Sequence, residues 1–159
     1  MKKAALATVL LTFIILASDS VLKFPALAQT PLKAAQAESG LPFSPAVRTA
    51  GLIFVSGHIG VDPQTGTLAG DDIASQTRQT MENIAALLKK EYGTGLKNVV
   101  KTTVFLKNID DYAVMNAVYA SFFPSRKPAR STVEVSRLAR SALIEIDAIA
   151  EATGYMPEK

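Results

Sequence analysis

The order in which strand-like and helix-like segments follow one another is the feature that most restricts the fold of this chain. Strand-like runs cover residues 52–57, 99–107, 129–136 and 143–150, and a further strand is expected around Val47. Amphipathic segments separate the first run from the second and the second from the third. The order strand, helix, strand, helix, strand, strand predicts an α/β (α+β) fold, in which two β-α-β units form one sheet with both helices on one face.

The two helices are predicted from apolar spacing and from residues that begin or end helices. Between the capping pair Asp71-Asp72 and Gly93, apolar residues recur every three or four positions. This spacing forms a single stripe, which we expect to pack against the sheet. The second helix is predicted over residues 111–123, immediately before Pro124.

The beginning of the chain has the composition of an export signal. Lys2 and Lys3 precede an apolar run over residues 4–17, which is shorter than the roughly 20 residues that span a bilayer. Ala26-Leu27-Ala28 supplies a small-x-small cleavage site, and a retained anchor or a buried amphipathic helix is the alternative. The predicted organisation is a signal peptide over residues 1–28, a flexible leader over residues 29–42 and a domain over residues 43–159. We therefore expect a periplasmic or secreted protein that is not membrane-bound after cleavage.

Cleavage after Ala28 would leave a nearly neutral domain. It removes three lysines and one aspartate, which lowers the formal net charge from +3 to +1. The remaining Lys and Arg are scattered along the sequence, so nucleic acid is not an expected partner. The chain contains no cysteine and one histidine, which excludes disulfides and thiolate nucleophiles and argues against an ordinary zinc centre.

Three short segments carry the candidate site residues. Arg130 lies at the start of a predicted strand, and its guanidinium fork matches the two oxygens of a carboxylate; an exposed arginine paired with a nearby acid is the alternative. Glu145 shares a strand face with Asp147. If that face lines a cleft, Glu145 can relay protons to and from a water, whereas a solvent-exposed face would make it an ordinary half-exposed strand. Ser56-Gly57 ends the first run, where the glycine lets a ligand approach the backbone closely.

Over about residues 42–150 the chain resembles the RidA/YjgF family of enamine/imine deaminases. The motifs that carry the resemblance are Leu52-Ile53-Phe54-Val55-Ser56-Gly57, Asp62-Pro63-x-Thr65-Gly66, Asn98-Val99-Val100-Lys101-Thr102-Thr103-Val104-Phe105-Leu106, Asn116-Ala117-Val118-Tyr119, Pro128-Ala129-Arg130-Ser131 and Ile144-Glu145-Ile146. The resemblance implies a chorismate-mutase-like fold and a homotrimer in which the sheets form a central β-barrel. It also implies ligand sites in the clefts between subunits.

The resemblance further implies roles for single residues. Arg130 would hold the substrate carboxylate, and Glu145 would activate or position the attacking water. The residues that would line the pocket are Ser56, Gly57, Asn116, Thr132 and Phe43. The implied reaction needs neither a metal nor a cofactor such as pyridoxal phosphate: an enamine tautomerises to an imine, water adds to the imine carbon, and ammonia leaves to give a 2-oxo acid.

Two pocket positions depart from the family pattern. Phe43 stands where the family has a tyrosine, so the phenolic hydroxyl is missing there, and Thr132 occupies a position often held by cysteine. Loss of one hydrogen bond, worth about 1 kcal/mol, is expected to alter rate or substrate preference rather than abolish function. We therefore predict an exported enamine/imine deaminase. The alternative is a non-catalytic trimeric binding module for small carboxylates, with Arg130 kept as the anchor.

Overall fold

A six-stranded mixed sheet runs through the part of the chain that the computed structural model describes, residues 33–34 and 42–153. Its strands are β1 (Lys33–Ala34), β2 (Ala46–Thr49), β3 (Leu52–Ile59), β4 (Val99–Leu106), β5 (Ala129–Glu134) and β6 (Ile144–Glu151). They lie in the order β1-β2-β3-β6-β4-β5, and every pair is antiparallel except β4 with β5. The predicted signal peptide lies outside the described residues. Of the predicted leader, the structure describes Pro42 and the short strand β1.

The two helices are α1 (Ile73–Tyr92) and α2 (Tyr112–Ser121). α1 begins after Asp72, whose side chain accepts a hydrogen bond from the Ser75 N–H at 2.9 Å, and it ends at Gly93 with a left-handed φ of 62°. α2 is three residues shorter than predicted: Asp111 belongs to a preceding 3₁₀ helix, Ile109–Asp111, and α2 ends at Ser121 rather than at Phe123. No helix among the described residues is long and apolar enough to cross a membrane.

The core lies between the helices and one face of the sheet. In the central strand β6, buried residues alternate with half-buried ones, so that Ile144 and Ile146 face the helices and Glu145 faces away. The helix residues buried in the same core are Met81, Ile84, Leu88, Met115 and Tyr119. The predicted α+β fold, with one sheet and two helices on one face, is therefore confirmed.

One strand differs from its prediction at a place that matters for the site. The strand that the sequence predicts to end at Gly57 continues to Ile59, so Ser56 and Gly57 lie inside β3 rather than at its end. The register of β3 against β6 shifts between Val55 and His58. The prediction that the strand ends at Gly57 was wrong, because this irregularity lets the backbone pass the glycine and pair with β6 again.

A buried glutamine joins α1 to the loops at the end of the sheet. Gln76 is 2% exposed, its amide nitrogen donates to the Gly70 carbonyl at 2.9 Å, and its amide oxygen accepts from the Leu143 N–H at 2.8 Å. Leu143 immediately precedes β6. The glutamine therefore supplies an acceptor to a partly buried backbone group at the entrance of the strand that carries Glu145.

We expect Gln76→Leu to lower the free energy of unfolding by about 1–3 kcal/mol, because the partly buried N–H of Leu143 loses its acceptor. Gln79→Leu is the matched control. It removes an amide that bonds only Asn83, and we expect a change within about 0.5 kcal/mol. Denaturant unfolding of both variants at one protein concentration measures the difference, and equal losses would contradict the role assigned to Gln76.

Candidate functional site

Arg130 lies on the edge strand β5, and its guanidinium contacts α2. Its Nη2 donates to the Asn116 amide oxygen at 2.6 Å and to the Tyr112 hydroxyl at 3.1 Å. The same group lies over the Tyr119 ring, 4.7 Å from the centroid. Tyr112, Asn116 and Tyr119 are spaced i, i+4 and i+7, which places them on one face of the helix. α2 therefore presents a ring, an amide and a second ring to one guanidinium.

The groups that contact this guanidinium are uncharged. The ion pairs among the described residues join Lys90 to Glu91 and Arg126 to Glu151, and neither includes Arg130. The exposed arginine paired with a nearby acid, which was the alternative from sequence, is therefore not what the described residues show. A cation that is oriented by neutral neighbours keeps its full attraction for an external anion.

The tyrosines beside Arg130 have different surroundings. Hydrogen bonding from Asn116, followed by hydrogen bonding and charge from Arg130, lowers the pKa of Tyr112 below its ordinary value. Burial raises the pKa of Tyr119, whose hydroxyl is 2.7 Å from the Thr102 hydroxyl. A cavity of about 320 Å³ opens between Arg130, Asn116, Tyr119 and Lys127.

Thr132 lies two residues beyond Arg130 on the same face of β5. Its hydroxyl is buried and has no hydrogen-bond partner among the described residues. A buried polar group without a partner costs stability, so such a group in a structure calls for an explanation. Its position beside Arg130 makes it a candidate contact for a ligand.

Glu145 belongs to a second group of residues. Its carboxylate lies directly against the backbone of Gly57: a Cβ at that position would overlap Glu145 Oε1 and lie 2.8 Å from Cδ. Glu145 and Gly57 line a cavity of about 540 Å³ together with Ser56 and Phe43. The missing side chain of Gly57 therefore leaves the space that the carboxylate fills.

Ser56 attaches the segment that carries Phe43 to this cavity. Its hydroxyl donates to the Ser44 carbonyl at 2.7 Å, and its N–H donates to the Pro45 carbonyl at 3.0 Å. Phe43 is 52% exposed. Because the Ser56 hydroxyl already donates its proton to the Ser44 carbonyl, it can offer a ligand only its oxygen, as a hydrogen-bond acceptor.

Asp147 shares its strand face with Glu145, as the alternation predicted, but it makes a structural contact. Its carboxylate accepts from the Thr103 N–H at 3.0 Å, next to it in the neighbouring strand β4. His58 is also part of the local structure, because its Nδ1 lies 2.8 Å from the Ser56 carbonyl and donates to it. Of Asp147 and Glu145, Glu145 is therefore the candidate catalytic carboxylate.

The two groups lie on opposite faces of the sheet. Arg130 pairs with the buried Thr102, which faces the helices, whereas Glu145 pairs with Phe105, whose side chain alternates to the other face. Thr132 shares the face of Arg130. One copy of the chain therefore does not bring the guanidinium and the carboxylate to the same side of its own sheet.

The sequence predictions did not include Tyr112, which contacts Arg130 directly. The signal was present as spacing, because a residue four positions before Asn116 lies on the same side of a helix. It becomes informative only once the side chain of Arg130 is known to face α2, which depends on the pairing of β5 with β4.

Comparisons with known proteins show which family the chain resembles. The family model described as Endoribonuclease L-PSP matches residues 33–152. The RutC family protein PH0854 of Pyrococcus horikoshii is 50% identical over 109 residues, which cover 69% of this chain and 86% of that protein. The 2-iminobutanoate/2-iminopropanoate deaminase of Salmonella typhimurium is 44% identical over 114 residues, again covering 69% of this chain and 86% of that protein.

The fold is also found in solved structures. The structure of the YjgF gene product of E. coli matches with a TM-score of 0.67 at 41% identity, and the match covers 74% of this chain and 93% of that one. Sequence and structure thus point to the same group of proteins. The chain belongs to the Endoribonuclease L-PSP family, which is the RidA/YjgF family that its motifs predicted.

Proposed function

We propose that this chain is an imine deaminase that hydrolyses 2-imino acids to 2-oxo acids and ammonia. The observation that carries the proposal is the guanidinium of Arg130, which neutral groups orient beside a cavity and which pairs with no described carboxylate. A relative that is 44% identical is named 2-iminobutanoate/2-iminopropanoate deaminase, and such compounds carry a carboxylate beside the C=N bond.

Arg130 binds the substrate carboxylate in this proposal. Asn116 and Tyr112 hold Nη2, and Nη1 lies 4.0 Å from the Met115 Sδ, so the carboxylate would bind through single hydrogen bonds from Nε–H and the second N–H of Nη1. The hydroxyl of Thr132 lies on the same strand face and has no hydrogen-bond partner among the described residues, so we assign it to the ligand as a second polar contact. These contacts fix the orientation of the imine carbon, and positioning of this kind contributes several kcal/mol to catalysis, up to about 7–11 in model reactions.

Glu145 handles the protons. Its carboxylate accepts a hydrogen bond from a water, and the water oxygen adds to the imine carbon as its proton passes to the carboxylate. Glu145 passes this proton to the nitrogen, which gives a carbinolamine. It then transfers the hydroxyl proton of the carbinolamine to the nitrogen as the C–N bond breaks and the C=O bond forms, so that ammonia and the 2-oxo acid leave. General acid–base help of this type contributes roughly 10²–10⁴-fold in rate.

The opposite positions of Arg130 and Glu145 lead to the second part of the proposal, which is that each site forms between two copies of the chain. β5 is an edge strand, so it is free to approach another molecule. The open face of the sheet exposes large apolar side chains: Phe54 is 44% exposed and Val133 is 43% exposed. We propose a homotrimer in which Arg130 of one copy meets Glu145 of the next.

We expect the purified chain to accelerate hydrolysis of 2-iminobutanoate that an amino-acid oxidase generates in place. Arg130→Ala should lower kcat/KM by about 100-fold or more, because the carboxylate loses a charged partner. Glu145→Gln should lower kcat by about 10²–10³-fold, because the proton acceptor is removed. Release of ammonia, followed over time, measures both effects.

Mixing the two inactive variants tests whether the site lies between subunits. When Arg130→Ala and Glu145→Gln chains are unfolded and refolded together, about a quarter of the interfaces join two intact halves, so about a quarter of the activity should return. Arg126→Ala and Glu151→Gln, which break an exposed ion pair elsewhere, are the matched controls. No recovery by the mixture would exclude a shared site.

Binding of 2-oxobutanoate without any acceleration of imine hydrolysis would favour a binding module instead.

Gly57→Ala should separate activity from folding. The added Cβ meets the end of the flexible Glu145 side chain rather than backbone, so the side chain can turn away and the free energy of unfolding should change by less than about 1 kcal/mol. Activity should fall nearly as far as in Glu145→Gln. A crystal structure of the variant would check the displaced carboxylate, and full activity would show that its position does not matter.

We also propose that the protein is exported, on the basis of Lys2, Lys3 and the apolar run over residues 4–17. The untagged full-length chain, expressed in a Gram-negative bacterium, should appear in the periplasmic fraction with Gln29 as its first residue. N-terminal sequencing checks this result. An uncleaved protein confined to the cytoplasm would contradict it.

A further inference from the structure

Tyr112 occupies a position beside Arg130 that no part of the proposed mechanism has used. It is the first residue of α2, its side chain is 40% exposed, and its hydroxyl lies 3.1 Å from Arg130 Nη2. Asn116, one turn later, holds the same nitrogen from the other side at 2.6 Å. The hydroxyl thus lies at the solvent-accessible edge of the group that would bind a carboxylate.

The Tyr112 hydroxyl accepts a hydrogen bond but donates its proton to no group among the described residues. A guanidinium only donates, so the phenol oxygen must accept from Arg130 Nη2. The Asn116 amide oxygen accepts from the same Nη2. The O–H of the tyrosine is therefore left to donate to an acceptor that comes from outside the described residues.

We propose that Tyr112 is a substrate-binding residue whose hydroxyl donates to a carboxylate oxygen of the ligand held by Arg130, an inference that rests on the proposed function. The carboxylate is then bound by a charged donor and by a neutral donor that the charged one orients. Because the carboxylate keeps its charge throughout imine hydrolysis, this contact contributes equally to binding of the substrate and of the transition state. Its effect belongs in KM rather than in kcat.

The ring and the hydroxyl of Tyr112 have separable roles. The centroid of the Tyr112 ring lies 5.5 Å from Arg130 Cζ, and the centroid of the Tyr119 ring lies 4.7 Å from the same atom. Tyr119 cannot replace the hydroxyl of Tyr112, because its own is buried against Thr102 at 2.7 Å. Phenylalanine at position 112 therefore removes the donor and leaves the stacking in place.

The test measures direct binding of 2-oxobutanoate and of its neutral amide, 2-oxobutanamide, by calorimetry. Tyr112→Phe should weaken binding of the acid about 10-fold, because a hydrogen bond to a charged group is lost. Binding of the amide should change by less than about 2-fold. Ser121→Ala is the matched control, because it removes a hydroxyl from the same helix that donates only to the Val118 carbonyl. We expect its affinities to equal those of the wild type.

The pH dependence supplies a readout that a structural role would not give. The charged group in contact with the Tyr112 hydroxyl is Arg130 from β5, and Asp111 precedes Tyr112 in the chain. Hydrogen bonding from Asn116, followed by hydrogen bonding and charge from Arg130, lowers the pKa of Tyr112 from 10.0. As the pH rises through that pKa, the phenol loses its proton and the phenolate repels the carboxylate. Affinity for 2-oxobutanoate should therefore fall toward pH 10 in the wild type and fall less in Tyr112→Phe.

The outcomes distinguish this inference from the proposed function. If Arg130→Ala abolishes binding of 2-oxobutanoate and Tyr112→Phe leaves it unchanged, the role of Tyr112 is overturned while the arginine site stands. Equal weakening of the acid and the amide would also overturn it, because the effect would not come from the carboxylate. If the wild-type protein binds no 2-oxobutanoate, both the site and this inference fail.

Discussion

The pairing of β6 with both β3 and β4 is the constraint on which the rest of the structure depends. β6 lies in the middle of the sheet, and its ladders with β3 and β4 together fix the face on which each of its residues lies. One face supplies Ile144 and Ile146 to the core, and the other carries Glu145. A shift of one residue would exchange the two sets, so the burial of the isoleucines also determines where the candidate catalytic carboxylate lies.

Features encoded locally could be predicted from the sequence. Asp72 and Gly93 define the ends of α1 through their own side chain and backbone, and alternation in β4 and β6 marks strands with one buried face. The motifs around Arg130 and Glu145 also predicted the family. The end of β3 could not be predicted, because the glycine that normally stops a strand here lies in an irregularity that only pairing with β6 defines.

The arrangement of the site depends on contacts between distant parts of the chain. Nothing in the sequence near Arg130 says that it pairs with Thr102, and that pairing decides that the guanidinium faces α2 and that Glu145 lies on the other face. Tyr112 was missed for the same reason. The residues of each half could thus be named from the sequence, whereas their placement on opposite faces of the sheet could not.

Thr132 places a hydroxyl, rather than a thiol, beside the guanidinium of Arg130. A buried hydroxyl on this strand forms no disulfide or sulfenic acid and binds soft metal ions poorly, in contrast to a thiol at the same position. The chain as a whole contains no cysteine. The donors around Arg130 therefore have no thiol chemistry that would change between reducing and oxidising compartments.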